Sequence, residues 1–237
     1  MAAVKVGIIG AMDSEVQSLK ARVEDAKVTE LPGMEFCEGC IEGVSVVVVK
    51  CGVGKVHAAM CAQTLACCFG VTHVINTGVA GALGEMLEVG DIVVSTDAVE
   101  HDLDVTPLGY APGEHPDLKL VAFDADASLR AAALDAAASL EGVKAYEGRV
   151  CSGDQFIAGA EAKQRITSAF GGMCCEMEGA SIAHVCHNNG IPFVVVRAIS
   201  DKADGSANVS YPEFEKAAAA HCASVVLAAL PKIAASA

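Results

Sequence analysis

The chain has 237 residues, 53% of them hydrophobic, with 23 glycines and no tryptophan, a composition that excludes a disordered polymer and suits a large α/β core. Sixteen basic against 30 acidic residues leave a net charge of −14, which repels nucleic acid and anionic membrane but does not forbid a neutral or cationic small substrate. No run approaches ~18 consecutive apolar residues, so no membrane span is expected.

The opening MAAVKVGIIGAM lacks the basic leader and long apolar stretch of a signal sequence. It reads as a buried strand over residues 4–10, and the chain is expected to be cytoplasmic. Asp13 or Ser14 then caps a helix running through Val16, Leu19 and Val23, with Glu15 in its first turn, where the helix dipole favours a carboxylate. Residues 34–40 and 44–50 read as a hairpin around Glu42-Gly43. Cys51-Gly52-Val53-Gly54-Lys55 turns into a helix over 56–69. It is not a phosphate-binding P-loop, because the upstream glycine and the hydroxyl residue after the lysine are missing. Residues 72–77 form a strand leading into Gly78-Val79-Ala80-Gly81-Ala82, small residues that let backbone approach a ligand.

A strand over 91–99 precedes the 101–116 segment HDLDVTPLGYAPGEHP, a loop long enough to be functional. An alanine-rich helix over 125–140 and a strand over 144–153 follow, with Phe156 and Ile157 just beyond the strand end. Next come a helix over 161–169, a strand over 172–177 and a helix over 178–189 that stops at Asn189-Gly190. Pro192 opens the strand that carries VVVRAISDKAD, and a last helix over 213–230 has Pro212 near its first position. No repeat or linker divides the chain. One domain over 1–237 is expected, with a mixed central sheet and helices on both faces.

In VVVRAISDKAD a buried run breaks into Arg197, Ser200 and Asp201, and ligands of open α/β sheets sit outside the carboxyl ends of strands. Of the eleven cysteines, Cys37 and Cys40 make the only CxxC. A zinc site would need a second pair at ligand spacing, and His184 with His187, three apart on a helix, is remote in sequence. No metal and no cofactor are expected, and the cysteines are read as reduced, small core residues.

IIGAMDSEV, NTGVAGAL, VSTDAVEHDLDVT, CSGDQFI, CEMEGASIAHVCH and VVVRAISDKAD occur in that order, and with them the chain from Lys5 to Phe214 resembles the 5′-methylthioadenosine/S-adenosylhomocysteine nucleosidases of the nucleoside phosphorylase superfamily. The resemblance implies a three-layer α/β/α fold with a mixed, partly barrel-like central sheet. It implies hydrolysis of the N-glycosidic bond between adenine and a 5′-thio-substituted ribose, in methionine salvage and adenosylhomocysteine recycling, with 5′-deoxyadenosine also accepted. By the family pattern Glu15 activates water and Asp201 protonates adenine N7. Glu178 holds the ribose hydroxyls over Met177, Gly81 and Ile157 make backbone contacts, and Phe156 stacks on adenine. Arg197 and Ser200 support the acid and the sugar end. Met12, Val53 and Ala80 complete the pocket, with Tyr211 near the 5′ end. Val105, Leu108 and Pro116 of the 101–116 loop close the 5′ pocket of the neighbouring subunit, which implies a homodimer. Position 79 is often Ser in the family, and Val79 departs from it.

The chemistry is coherent with those residue types. Adenine leaves poorly as an anion, so an acid must keep its proton at neutral pH, which asks for a desolvated carboxyl. An acid and a base flanking a glycosidic bond with water between them is the inverting arrangement. Glu176, two residues before Glu178, is left out of the site. The rival within the superfamily is a phosphate-dependent purine nucleoside phosphorylase. Against it, the turn after the first strand offers Asp13 and Glu15 and no cation near Glu15. A non-catalytic nucleoside-binding or storage protein would be expected to lose its acid or base, yet Glu15, Glu178 and Asp201 are all present.

Overall fold

In a computed structural model, described over residues 4–31, 33–142 and 144–236, ten strands and six α-helices form among the described residues. The strands are β1 (Lys5–Gly10), β2 (Glu24–Leu31), β3 (Met34–Ile41), β4 (Val44–Lys50), β5 (His73–Ala82), β6 (Ile92–Glu100), β7 (Ala122–Asp124), β8 (Ala145–Ser152), β9 (Cys174–Glu176) and β10 (Phe193–Asp201). The helices are α1 (Asp13–Lys20), α2 (Lys55–Thr64), α3 (Ala127–Ala138), α4 (Ala160–Phe170), α5 (Gly179–Asn189) and α6 (Ala207–Ser236). Residues 1–3, which open the supposed leader, lie outside the described residues.

The strands join in the order β10-β6-β8-β9-β5-β1-β4-β3-β2, and β10 also pairs with β5. That extra pairing closes β5, β10, β6, β8 and β9 into a ring, so half of the sheet is a small barrel and half an open wing. β5 is the hinge between them. Its first half pairs in parallel with both β1 and β10, and its last two residues, Gly81 and Ala82, pair with β9. Apolar residues of α1, α3 and α6 cover one face and those of α2 and α5 the other. This is the three-layer, partly barrel-like fold expected from the resemblance.

Several boundaries differ from the sequence reading. The first helix stops at Lys20 and does not reach Val23. The charged segment after it forms β2, an edge strand paired only with β3 among the described residues. Its residues are mostly exposed, so it has no apolar alternation to reveal it, and its charge suits a sheet edge. β5 runs on through Gly78–Ala82, past its expected end at Thr77, and β10 continues past Arg197 to Asp201. β9 is three residues long, half the expected length. α6 begins at Ala207, which puts Pro212 in its second turn and not at its start. From Ser210 to Ser236 it is long and apolar enough to match a membrane span, yet Ala219, Cys222, Val226 and Leu230 are buried in the core against the sheet. Cys37 and Cys40 both lie in β3, where an odd separation sends side chains to opposite faces and prevents joint chelation. All eleven cysteines are free.

Candidate active site

The carboxyl ends of β1, β5 and β10 surround a half-open cavity of about 440 Å³ including its mouth. At one end lies Glu15, on the first turn of α1. Its Oε2 accepts hydrogen bonds from the N–H groups of Ala11 (2.6 Å) and Met12 (3.0 Å), and its Oε1 from Val79 N–H (3.0 Å). Burial pushes the Glu15 carboxyl above its ordinary range, while Arg197 and those three donors pull it back without cancelling the shift. Val79 makes its contact through the backbone, so the loss of a hydroxyl at this position does not touch it. A Cβ on Gly78 would collide with both Arg197 and Glu15, so only glycine lets those side chains meet across β5.

Behind this end, Arg197 is buried under a group of carboxylates. Its guanidinium pairs with Glu176 and lies 3.7 Å from Glu178, and it also donates to Asn76. Burial pulls the Arg197 pKa down, and Glu176, Glu178 and Glu15 together more than reverse this, so it stays charged. Glu176 is held further by Ser152 Oγ and by the N–H groups of Glu178 and Gly179, an anion seated on the start of α5. Glu178 caps that helix, and its Oε1 accepts from Gly54 N–H at 2.9 Å. The glycine turn at Gly52–Gly54 thus directs an N–H at Glu178. Burial and the neighbouring Glu176 raise the Glu178 pKa from 4.5 to about 7.

At the other end β10 carries a bulge. Ile199 pairs with Ala80 and Asp201 with Gly81, leaving Ser200 as the extra residue. In a regular strand neighbouring side chains point to opposite faces. The bulge breaks that alternation, and Ser200 Oγ donates to Asp201 Oδ2 at 2.9 Å. Ala203 N–H donates to Asp201 Oδ1 at 2.8 Å. Burial still lifts the Asp201 carboxyl above its ordinary range against those two bonds. A Cβ on Gly81 would stand 2.9 Å from Asp201 Oδ1, so the glycine leaves room for the acid.

A phosphorylase superfamily model matches residues 5–231. A 5′-methylthioadenosine/S-adenosylhomocysteine nucleosidase of Shewanella frigidimarina is 43% identical over 230 residues, covering 97% of this chain and 100% of that protein. The nucleosidase of that name from Colwellia psychrerythraea 34H, solved in complex with adenine, has a TM-score of 0.94 and 39% identity, covering 98% of this chain and 96% of its own. The chain belongs to the 5′-methylthioadenosine/S-adenosylhomocysteine nucleosidase family of the phosphorylase superfamily. A futalosine hydrolase of Helicobacter pylori shares the fold too, with a TM-score of 0.92, 33% identity, and coverage of 97% of this chain and 98% of its own. By membership in the nucleosidase family the chain is an N-glycosyl hydrolase.

Of the residues that the nucleosidase resemblance singles out, Met12, Glu15, Val53, Ala80, Gly81, Phe156, Met177, Glu178, Ser200, Asp201 and Tyr211 line the cavity. Ile157 lines an adjoining recess shared with Gly81 and Asp201. Phe156 is half exposed at the mouth, edge-on to Tyr211 with ring centroids 5.4 Å apart. Arg197 does not line the cavity; it holds the carboxylates from behind. Val105, Leu108 and Pro116 are not in the lining, and Leu108 points outward, 75% exposed.

Two sequence expectations are corrected here. Glu176, set aside earlier, lines the cavity and anchors Arg197. A cation does lie beside Glu15, because β10 brings Arg197 there from far along the chain. The signal for both was the buried arginine itself, which has to be paired. Ala11 and Cys175 also line the cavity, with no sequence signal to mark them, and so does Val79, in the run of small residues after the fourth predicted strand. As to metal ligands, His184 does not act with His187; it approaches His115 and Glu100, outside the cavity.

Proposed function

We propose that the chain hydrolyses the N-glycosidic bond of 5′-methylthioadenosine and S-adenosylhomocysteine, releasing adenine and the 5-thio-substituted ribose, and accepts 5′-deoxyadenosine. Asp201 gives its proton to adenine N7 as the glycosidic electron pair moves into the base. The ribose becomes cationic at C1′, and the Glu178 carboxylate stabilises that charge while holding the hydroxyls over Met177. Glu15 takes a proton from water as its oxygen bonds C1′ from the opposite face. Phe156 stacks on the adenine, and Gly81 and Ile157 contact the substrate through backbone. The observation that carries this reading is the contrast between two buried carboxyls on one cavity: Asp201, raised and without an ion pair among the described residues, and Glu15, aimed by three N–H donors.

Water, and not phosphate, is the nucleophile in this reading. Arg197 is the cation nearest Glu15, but Glu176, Glu178 and Glu15 surround it, so the local charge stays negative and repels an anion. The whole of residues 1–237 acts as one catalytic domain, in a homodimer in which Val105, Leu108 and Pro116 close the partner's 5′ pocket. The outward-facing Leu108 supports that role. The cellular place is methionine salvage in the cytoplasm. The futalosine hydrolase neighbour favours one further candidate, 6-amino-6-deoxyfutalosine, which shares the adenine and the ribose.

Adenine release from those four nucleosides, with and without phosphate, tests the reading. The expected result is phosphate-independent release from methylthioadenosine and adenosylhomocysteine. A strict phosphate requirement overturns the hydrolase mechanism, and release from aminodeoxyfutalosine alone reassigns the substrate.

A further inference from the structure

Glu100 ends β6, His115 sits in the 101–116 loop, where it bridges to Leu120, and His184 lies in the middle of α5. The fold brings one ligand atom from each within 4.8 Å of the others. Glu100 Oε1 is 3.9 Å from His115 Nε2 and 3.6 Å from His184 Nδ1. Both separations exceed the roughly 2.7–3.2 Å of a hydrogen bond. Three polar atoms therefore converge without bonding one another. His115 Nε2 is buried with no hydrogen-bond partner, a state that costs free energy unless something fills it. Metal–ligand bonds of ~2.0–2.2 Å in a zinc tetrahedron set adjacent ligand atoms about 3.3–3.6 Å apart. The two separations from Glu100 lie at or close to that range, and the third pair of atoms lies within 4.8 Å.

We propose that Glu100, His115 and His184 form a binding site for a divalent transition metal of the zinc class. Two imidazoles and one carboxylate suit such an ion, with water in the remaining position. The rings are already oriented. His184 stacks on Phe123 at 4.9 Å with an interplanar angle of 16°, and stands edge-on to His115 at 4.6 Å and 71°. Glu100 turns Oε1 to the histidines, while Lys55 holds Oε2 at 3.0 Å. Asp102 shares that ammonium at 2.6 Å, so the cation next to the site is offset by two carboxylates. A surface groove lined by Lys55, Val56, Ser181 and His184 gives an ion its way in.

The site is separate from the catalytic cavity, since none of its three residues lines it. It still reaches the cavity by a short path. Lys55 N–H donates to Asp154 at 2.8 Å, and the residue before it, Gly54, donates its N–H to Glu178. A bound ion would cross-link the 101–116 loop to β6 and α5, the helix that Glu178 caps. The role is structural and independent of which nucleoside is cleaved.

Titration of metal-free, full-length protein with Co²⁺ and then Zn²⁺, followed by absorption and by melting temperature, tests the site. The expected result is one Co²⁺ per chain with a nitrogen/oxygen-ligand spectrum, no thiolate charge-transfer band, a raised melting temperature, and displacement by Zn²⁺. His115→Leu and His184→Ala should each weaken binding by at least about 100-fold, since even loss of an outer partner to a metal ligand costs 10–100-fold. If His184→Ala fails to fold, His115→Leu, in a loop, carries the comparison. Binding of parental strength in His115→Leu, a thiolate band that Cys37→Ser removes, or the lack of saturable binding would each overturn the proposal.

Discussion

At the Glu15 end of the cavity a carboxyl sits among three N–H donors and in the field of a buried arginine. At the Asp201 end a carboxyl of the same 2% exposure has one hydroxyl and one N–H, and it makes no ion pair among the described residues. Desolvation raises both pKa values. What differs is how much of that shift the surroundings offset: a full cation and three donors on one side, two neutral donors on the other. In the proposed mechanism the base must be ionised and the acid protonated, and the stronger charge compensation around Glu15 favours the base's role there and the acid's role at Asp201.

The strongest way to break that comparison is to remove each carboxyl's proton chemistry while keeping its shape. Asp201→Asn and Glu15→Gln should each lower the turnover number for adenine release by about 10²–10⁴-fold, the usual worth of one general acid or base. Melting temperatures near the parent's would show that the fold is intact. An Asp201→Asn protein that releases adenine at the parental rate would remove Asp201 from the acid's role.

The next largest effect falls on stability, at the cation that separates the two ends. Arg197→Met leaves Glu176, Glu178 and Glu15 facing one another in a buried space. Removal of one partner from a buried ion pair typically costs about 3–5 kcal/mol. At ~2–4 °C per kcal/mol for a chain of this size, the melting temperature should fall by roughly 6–20 °C. A fall of that size that shrinks in acid, as the carboxylates are protonated, would tie the loss to their charge. An unchanged melting temperature would mean that Arg197 is not what stabilises them.

Glu178 gives a third test, with a pH signature. Its pKa is raised from 4.5 to about 7, so the folded state holds this proton more tightly than the unfolded chain does. The associated stability is present below about 4.5 and is lost as pH rises through about 7. Glu178→Gln removes the charge and should melt above the parent at pH 8, by on the order of 2–3 kcal/mol, with the difference vanishing near pH 4. Its activity should fall at every pH, a site residue that lowers the stability of the fold it serves. A variant less stable than the parent at pH 8 would show that the Arg197 contact outweighs the burial cost.

How much of this was readable beforehand follows from the same physics. β10 was legible because a strand buried on both faces is a continuous apolar run, and its break into Arg, Ser and Asp stands out. Glu15, Glu178 and Asp201 could be placed at element ends on the same grounds, and the resemblance supplied roles for them. The β10 bulge was not legible, since a one-residue register slip leaves the apolar run unchanged while it turns Ser200 toward Asp201. Nor was the Arg197 cluster, which depends on β5 and β10 lying side by side. β2 escaped because an exposed edge strand has no buried face to impose alternation. Glu100, His115 and His184 come from three elements, and nothing in their spacing points from one to another.

The finest probe of the comparison is Ser200, the residue that the bulge turns toward the acid. Its hydroxyl donates to Asp201 Oδ2, a bond that favours the ionised carboxyl and so works against the proposed role. In the proposed mechanism Ser200 is a positioning residue, which holds the carboxyl plane while burial raises the Asp201 pKa. Ser200→Ala should release both effects. A net hydrogen bond of about 0.5–1.5 kcal/mol sets the loss in turnover at roughly tenfold or less, with little change in KM. The pH profile should move in the other direction: without the donor Asp201 holds its proton more tightly, so the alkaline limb of kcat/KM shifts to higher pH. A purely structural serine would lower activity without moving that limb. An alkaline limb that shifted to lower pH would show that the hydroxyl accepts from a protonated Asp201, and the order of donor and acceptor at this end would have to be reversed.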